Sequence, residues 1–366
     1  MSAGTAPVPG PGILDIAPYV GGESKAAGTA RPIRLASNES ALGPSAKAIA
    51  AYRALAGEIH RYPDGGAEEL RRVLGSCHGL DPARIVCGAG SDELIGLVLR
   101  CYAGPGDEVL YSRHGFLMYP IGALSVGATP IAVPEQALTA DVDAILAHVT
   151  ERTRVVFIAN PNNPTGTYLS IAALERLHAG LPSDVVLGID AAYAEFVNRN
   201  DYEPGVRLVD RAENVVMLRT FSKIYALAGL RLGWAYCPPA IADVLNRVRG
   251  PFNVSAPALA AGVAAVEDVE AVAVARAHND RWLPWLSGRL AGLGLNLTPS
   301  VGNFVLPRFP EGAHNADAAF AFLQSRGILT RQMHAYGLPQ HLRITIGAGP
   351  ENEAVAATLA EFMSGA

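Results

Sequence analysis

Residues 215–233 read VVMLRTFSKIYALAGLRLG. The run 215–218 is apolar, a second apolar run begins at Leu232, and Ser222-Lys223 lies between them. Lysine is scarce in this chain: of 29 basic residues only Lys25, Lys47 and Lys223 are lysines, so arginine serves wherever a cation merely has to be present. A long cation beside apolar runs is costly unless it is paired or neutralised. An amine sheds its proton on burial and can condense with an aldehyde, which a guanidinium cannot do. Lys223 therefore reads either as a strand-end lysine with its head in water or as a reactive amine, and the residues around it in the fold decide between the two.

Working outward, short apolar runs recur at 85–87, 108–111, 130–133, 155–159, 185–189, 215–218 and 232–237, separated by helix-length segments. Strand alternating with helix predicts an α/β fold with a mostly parallel sheet covered on both faces. Ligands of such sheets sit beyond the carboxyl ends of the strands. The chemically informative residues fall there: Gly90-Ser91-Asp92 after the first run, residues 160–166 after the fourth, Asp190 after the fifth and Lys223 after the sixth.

Each of these has a plain structural reading beside a functional one. Asp190 alone is an ordinary helix N-cap; under a pyridine ring it would keep the ring nitrogen protonated, and Tyr193 could hydrogen-bond the ring oxygen. Gly90, Ser91 and Asp92 between strand and helix are ordinary turn and cap residues, yet backbone amides at a helix start also suit a phosphate. Ser222 and Arg231 would add a hydroxyl and a bidentate cation to that cradle. Asn160-Pro161-Asn162-Asn163-Pro164-Thr165-Gly166 is a rigid turn, which explains the prolines and the glycine but not the repeated asparagine. Phe116 offers a stacking face. His114 and His334 have no second ligand at helical or hairpin spacing and read as pocket lining or surface, with no metal site.

Composition narrows the class. The chain has 366 residues, half of them apolar and 17% charged, enough for a large core and a second smaller one. A formal charge of −5 and scattered arginines give no footprint for nucleic acid. Cys77, Cys87, Cys101 and Cys237 form no framework and read as small buried hydrophobes in a reducing compartment. Residues 1–12 read as a flexible arm without the features of a signal peptide, and the apolar stretch 254–266 is too short to span a bilayer, so a cytoplasmic protein is expected. Apolar residues Ile49, Tyr52, Leu55 and Ile59 predict a helix with a buried stripe after Ser45, and an Ala- and Val-rich helical region is expected to run through Leu290. The predicted division is an arm at 1–40 that joins the small domain, a large domain at 41–253 and a small α+β domain at 254–366.

Taken together, PNNPTG at 161–166, Ser222-Lys223 and Arg231 resemble the fold-type I pyridoxal-phosphate aminotransferases, and the resemblance covers nearly the whole chain. Within that family LASNESALG at 35–43, RYPD at 61–64, GILTR at 327–331, YGLP at 336–339 and LRITIG at 342–347 are similar to the histidinol-phosphate branch. The resemblance implies pyridoxal 5'-phosphate as cofactor, with Lys223 bonded to it, Asp190 at the pyridine nitrogen, and Asn163 and Tyr193 at the ring oxygen. It implies that Gly90, Ser91, Asp92, Ser222 and Arg231 hold the cofactor phosphate and Phe116 stacks on the ring. It further implies a homodimer in which Tyr62 reaches the second subunit's site. Small-molecule substrates would be met by Asn38, by Arg343 at a carboxylate, and by Tyr19 and Arg331 at the substrate phosphate. Two departures stand out: Phe116 where several relatives carry tyrosine, and Gln332 where an acidic residue is frequent. Aromatic amino acid aminotransferase and threonine-phosphate decarboxylase are the alternative enzyme activities; a transcriptional regulator would need a basic domain that this sequence lacks.

Overall fold

The computed structural model describes residues 7–23 and 31–365. Lys25 and the first six residues of the expected arm lie outside them. Seven strands form the central sheet: β1 Ile85–Gly88, β2 Glu108–Ser112, β3 Thr129–Val133, β4 Thr153–Ala159, β5 Val186–Asp190, β6 Val215–Thr220 and β7 Gly233–Tyr236. They coincide with the seven apolar runs and lie in the order β1-β7-β6-β5-β4-β2-β3. All pairings among β2 to β6 are parallel, while β7 is antiparallel to both of its neighbours. The link from β6 to β7 carries Lys223 and only a three-residue 3-10 turn, Ala228–Leu230, without the crossover helix that a parallel return needs.

Successive side chains of a strand point to opposite faces, and here both faces are covered. Val156, Ile158, Leu187, Ile189, Val215 and Met217 enter one core, while Val155, Phe157, Val186, Val216 and Leu218 enter the other. A continuous apolar run is what such a strand requires, which is why the runs were legible without alternation.

A third core cluster lies in the C-terminal part of the chain. It joins Trp282, Leu286 and Leu290 to Val305, Leu342, Ile344, Val355 and Leu359, with Leu35 from near the N-terminus. Its three-stranded antiparallel sheet pairs Phe304–Val305 and Arg331–Gln332 with Leu342–Thr345, and the helices Ala316–Ser325 and Gly349–Ser364 pack beside it. The short strand Ile33–Arg34 pairs in parallel with Ile328–Leu329 and so ties the N-terminal segment to this part.

Three expectations need correction. The helix after Ser45 is Ala46–Ala54, capped by the Ser45 hydroxyl, and its inward residue is Ala48; Tyr52 and Ile59 are 47% and 76% exposed. It packs on the helix Ala256–Glu267 through alanines, whose small side chains let the two backbones approach and leave the large residues outside. The helical region beyond residue 251 is two helices, Ala256–Glu267 and Val269–Gly292, that break at Asp268, where ψ is 66°. Cys87 and Cys237 are buried as expected, but Cys77 is exposed. Among the described residues no helix is long and apolar enough to cross a membrane.

Candidate active site

The carboxyl ends of β4, β5 and β6 open into one cavity, closed from the opposite side by residues near the N-terminus and from the C-terminal sheet. Its lining includes Tyr19, Asn38, Ser91, Asp92, Phe116, Asn163, Asp190, Tyr193, Ser222, Lys223, Arg231, Arg331 and Arg343, so thirteen of the fifteen candidate residues meet in it. Gly90 stands directly behind the lining, and Tyr62 lies elsewhere.

Asp190 is the last residue of β5, in register with Ala159 of β4 and Leu218 of β6. It is 5% exposed. Its Oδ1 accepts from the Ala192 N–H at 3.2 Å and its Oδ2 from the Tyr119 hydroxyl at 2.9 Å. Burial pushes its pKa up to about 6, against the opposing effect of the Tyr119 hydrogen bond. Lys223 follows β6 and donates from Nζ to the Ser37 carbonyl at 3.1 Å. Burial, reinforced by the Arg343 charge, lowers its pKa to about 8, so an uncharged amine is accessible near neutral pH. Tyr193 is buried, its hydroxyl accepts from Asn38 Nδ2 at 2.8 Å, and Lys223 Nζ stands 5.7 Å from its ring centre.

The turn after β4 divides its asparagines between two tasks. Asn160 ties the turn through Leu169, accepting from its N–H at 2.8 Å and donating to its carbonyl at 3.1 Å, and Asn162 donates to the Thr165 hydroxyl at 2.9 Å. Asn163 alone faces the cavity, where its Oδ1 accepts from Arg343. Asn38 also lines the cavity. Its Nδ2 is committed to Tyr193, its Oδ1 accepts from the Thr345 hydroxyl at 3.2 Å, and its φ of 53° is held by these bonds. It lines the cavity as the support of a phenol.

At one corner Gly90 precedes the helix Ser91–Tyr102 with φ 90°, and a Cβ there would meet Arg231 Nη2 at 2.5 Å. Only glycine fits. Arg231 contacts Asp92 Oδ2 at 3.1 Å and the Ser222 hydroxyl at 3.4 Å. Since the Asp92 carboxylate is turned to Arg231, what Asp92 offers an anion is its backbone N–H at the helix start. Glycine, serine hydroxyls, amides and a guanidinium around one point make a cradle for a tetrahedral dianion.

Two more arginines face the same cavity without a carboxylate partner among the described residues. Arg343, 6% exposed, donates to Asn163 Oδ1 and, at 2.7 Å, to the Ala36 carbonyl. Arg331 donates to the Val20 carbonyl at 2.5 Å and lies 5.7 Å from the centre of the Tyr19 ring. Gln332 turns away, to Asp317 at 2.7 Å. His334 also bonds Asp317, and His114 Nδ1 lies 2.6 Å from the Tyr336 carbonyl; neither lines the cavity. Tyr62 is 82% exposed and stacks on Phe252 at 4.6 Å.

The sequence reading missed Tyr119. It sits in the apolar helix Met118–Ser125, reads there as core, and is fully buried, and only the tertiary contact with Asp190 gives it a second part.

The family model for aminotransferase class I and II matches residues 30–362. Histidinol-phosphate aminotransferase of Paramagnetospirillum magneticum is 63% identical over 360 residues, covering 98% of this chain and 99% of that protein. The protein of the same name from Rhodospirillum centenum is 61% identical with the same coverage. Among solved structures, histidinol-phosphate aminotransferase from Sinorhizobium meliloti in complex with pyridoxal-5'-phosphate superposes with a TM-score of 0.88 at 28% identity, over 100% of this chain and 99% of that one. The buried aspartate, the depressed lysine and the glycine-arginine cradle thus stand in a chain that belongs to the class I and II aminotransferases.

Proposed function

We propose that this protein is a pyridoxal 5'-phosphate-dependent aminotransferase that interconverts L-histidinol phosphate and 2-oxoglutarate with imidazole acetol phosphate and L-glutamate, a step of histidine biosynthesis. The observation that carries the reading is near-full-length identity of 51–63% to relatives that bear the histidinol-phosphate aminotransferase name. The cavity supports it independently, because two cations without carboxylate partners suit substrates that carry a phosphate in one half-reaction and carboxylates in the other.

The residues fit the cofactor: a cradle that a Cβ would fill at Gly90, a half-buried amine at Lys223 and a buried carboxylate at Asp190. Bound there, pyridoxal phosphate supplies a carbonyl carbon for the amino group and a ring that withdraws the electron pair left when the substrate carbon loses its proton. Ser91, Ser222 and Arg231 would hold the phosphate, Phe116 would offer a stacking face, and Asn163 and Tyr193 would serve the ring oxygen. Asp190 keeps a negative charge at the ring nitrogen. Lys223, whose pKa of about 8 leaves a fraction of the amine uncharged near neutral pH, would remove and return a proton at the substrate carbon as general base and acid. Arg343 orients the carboxylate of glutamate or 2-oxoglutarate; Tyr19 and Arg331 bind the phosphate of the other pair.

The protein acts as a cytoplasmic homodimer in this reading. Leu42, Tyr52, Ile59, Tyr62 and Phe252 leave large apolar side chains exposed between 47% and 82%, and Tyr62 and Phe252 stack on each other, which suits cover by a second copy. Tyr62 would then serve the site of that copy. Four free cysteines suit a reducing compartment. The division we propose is residues 41–253 as the large domain and residues 254–366 with the N-terminal 1–40 as the small one; the pairing of Ile33–Arg34 with Ile328–Leu329 supports it, whereas the helix Ala256–Glu267 packs into the large core and the turn Ile13–Asp15 packs on the helix Met118–Ser125, so these two segments go with the large domain. The test is kcat/KM across a panel of amino donors: histidinol phosphate is expected to exceed phenylalanine and tyrosine, and equal or inverted values would overturn the substrate.

A further inference from the structure

Asp190 must remain an anion in a place that opposes one. It is buried at the end of β5, and the titratable groups that face it are Tyr119 from the helix Met118–Ser125, Asp92 from the start of the helix Ser91–Tyr102, Lys223 from the segment after β6, and Tyr193 and Tyr202 from the segment that follows β5. Asp92 and burial disfavour the charge, and Lys223 favours it only weakly. The direct side-chain donor is the Tyr119 hydroxyl, 2.9 Å from Oδ2. That phenol is fully buried and does not line the cavity. Burial and then the Asp190 charge push its own ionisation well above the ordinary range, so it stays a donor at every working pH.

The ring that carries the hydroxyl cannot drift. It stacks on Phe157 of β4 with centres 4.8 Å apart and planes 6° from parallel, and meets Phe116 edge to face at 6.0 Å. Phe116 lines the cavity, so one aromatic cluster holds both the stacking face and the donor that fixes the carboxylate.

We propose that Tyr119 is a positioning residue for amino transfer, which holds Asp190 ionised and in one orientation so that the cofactor's ring nitrogen stays protonated. The inference rests on the cofactor reading above. A hydrogen bond to a charged group in a buried site is among the stronger ones, and its loss leaves the carboxylate with one backbone donor.

The experiment reconstitutes the apoprotein with pyridoxal phosphate labelled with 15N in the ring and follows the nitrogen by NMR against pH, together with the cofactor's Kd by absorbance. Tyr119→Phe keeps the ring stack and is expected to lower the nitrogen's apparent pKa by about one unit and to weaken cofactor binding roughly tenfold. Tyr111→Phe removes a phenol from the same cluster, 6.4 Å from the Tyr119 ring, and should leave both unchanged. 3-Fluorotyrosine placed at position 119 retains the fold and donates more strongly; it should move the titration the other way, which keeps the test decisive if Tyr119→Phe does not fold. An unshifted titration in Tyr119→Phe or with the fluorinated residue, or an equal shift in Tyr111→Phe, overturns the proposal while cofactor uptake by the wild type still stands. Wild-type protein that takes up no pyridoxal phosphate overturns the functional reading and this proposal with it.

Discussion

Two buried arginines, one lining the cavity and one not, are held in different ways. Arg219 of β6 and Glu195, each with a side chain 7% exposed, face each other at 2.6 Å, and Arg219 also lies over the Trp234 ring at 5.4 Å. Arg343 is equally buried and lies over the Phe304 ring at 5.7 Å, but its hydrogen-bond partners are neutral oxygens, those of Asn163 and Ala36. Each leaves its Nε without a partner. A buried charge with its counter-ion is part of the fold, and breaking such a pair is costly. A buried cation beside an open cavity with no counter-ion suits an anion that arrives from outside, which is the role proposed for Arg343. The difference offers a way to tell structural charge from functional charge without reference to chain position.

The comparison can be broken at several points. Arg343→Leu should lower kcat/KM for glutamate roughly 10³-fold, since two charge-assisted bonds of about 1.5–3 kcal/mol each are lost to the carboxylate. Its unfolding free energy should stay within about 1 kcal/mol of wild type, and a collapse in denaturant titration would make Arg343 a structural residue after all. Arg219→Leu should do the opposite, costing about 3–5 kcal/mol because Glu195 is left buried and unpaired. Adding Glu195→Leu should recover most of that loss; no recovery would mean that the pair is not the unit.

The third test uses the site's own carboxylate. Asp190 has a folded pKa of about 6, above its usual 3.8, so the folded protein binds the extra proton between those values and stability falls as pH rises through about 6. The apoprotein of Asp190→Asn should accordingly be more stable than wild type at pH 8, by about 3 kcal/mol, with the gap closing toward pH 4. A gap independent of pH in thermal or denaturant unfolding would contradict the assignment. The smallest effect is expected at Arg331, which is less enclosed than Arg343: Arg331→Ala should cost about 10- to 100-fold in kcat/KM with histidinol phosphate and little with phenylalanine. Equal losses would remove it from the phosphate site.

Much of this molecule was readable before the tertiary structure. Strands buried on both faces must be continuously apolar, and so most of the seven stood out, as did the residues placed just beyond them; the edge strand Thr129–Val133, in which only Val133 is buried, is the exception to that reason. Tyr52 and Ile59 show the limit: helical spacing finds an apolar stripe, but whether it faces this chain's core or the outside depends on which neighbour packs closest, and the alanine at position 48 won. Asn38 and Tyr193 were both legible as candidate site residues, yet their mutual bond joins positions remote in the chain.

The amino-acid sequence by itself determined the alternation of strand and helix and the position of a lone lysine after an apolar strand. Those are local consequences of covalent geometry and hydrophobicity. The tertiary structure decided that Tyr119 supports Asp190, that Asn38 supports a phenol, and which arginine has a counter-ion. Hydrogen bonds and ion pairs act over about 3 Å, and chain order does not fix which distant side chains come that close.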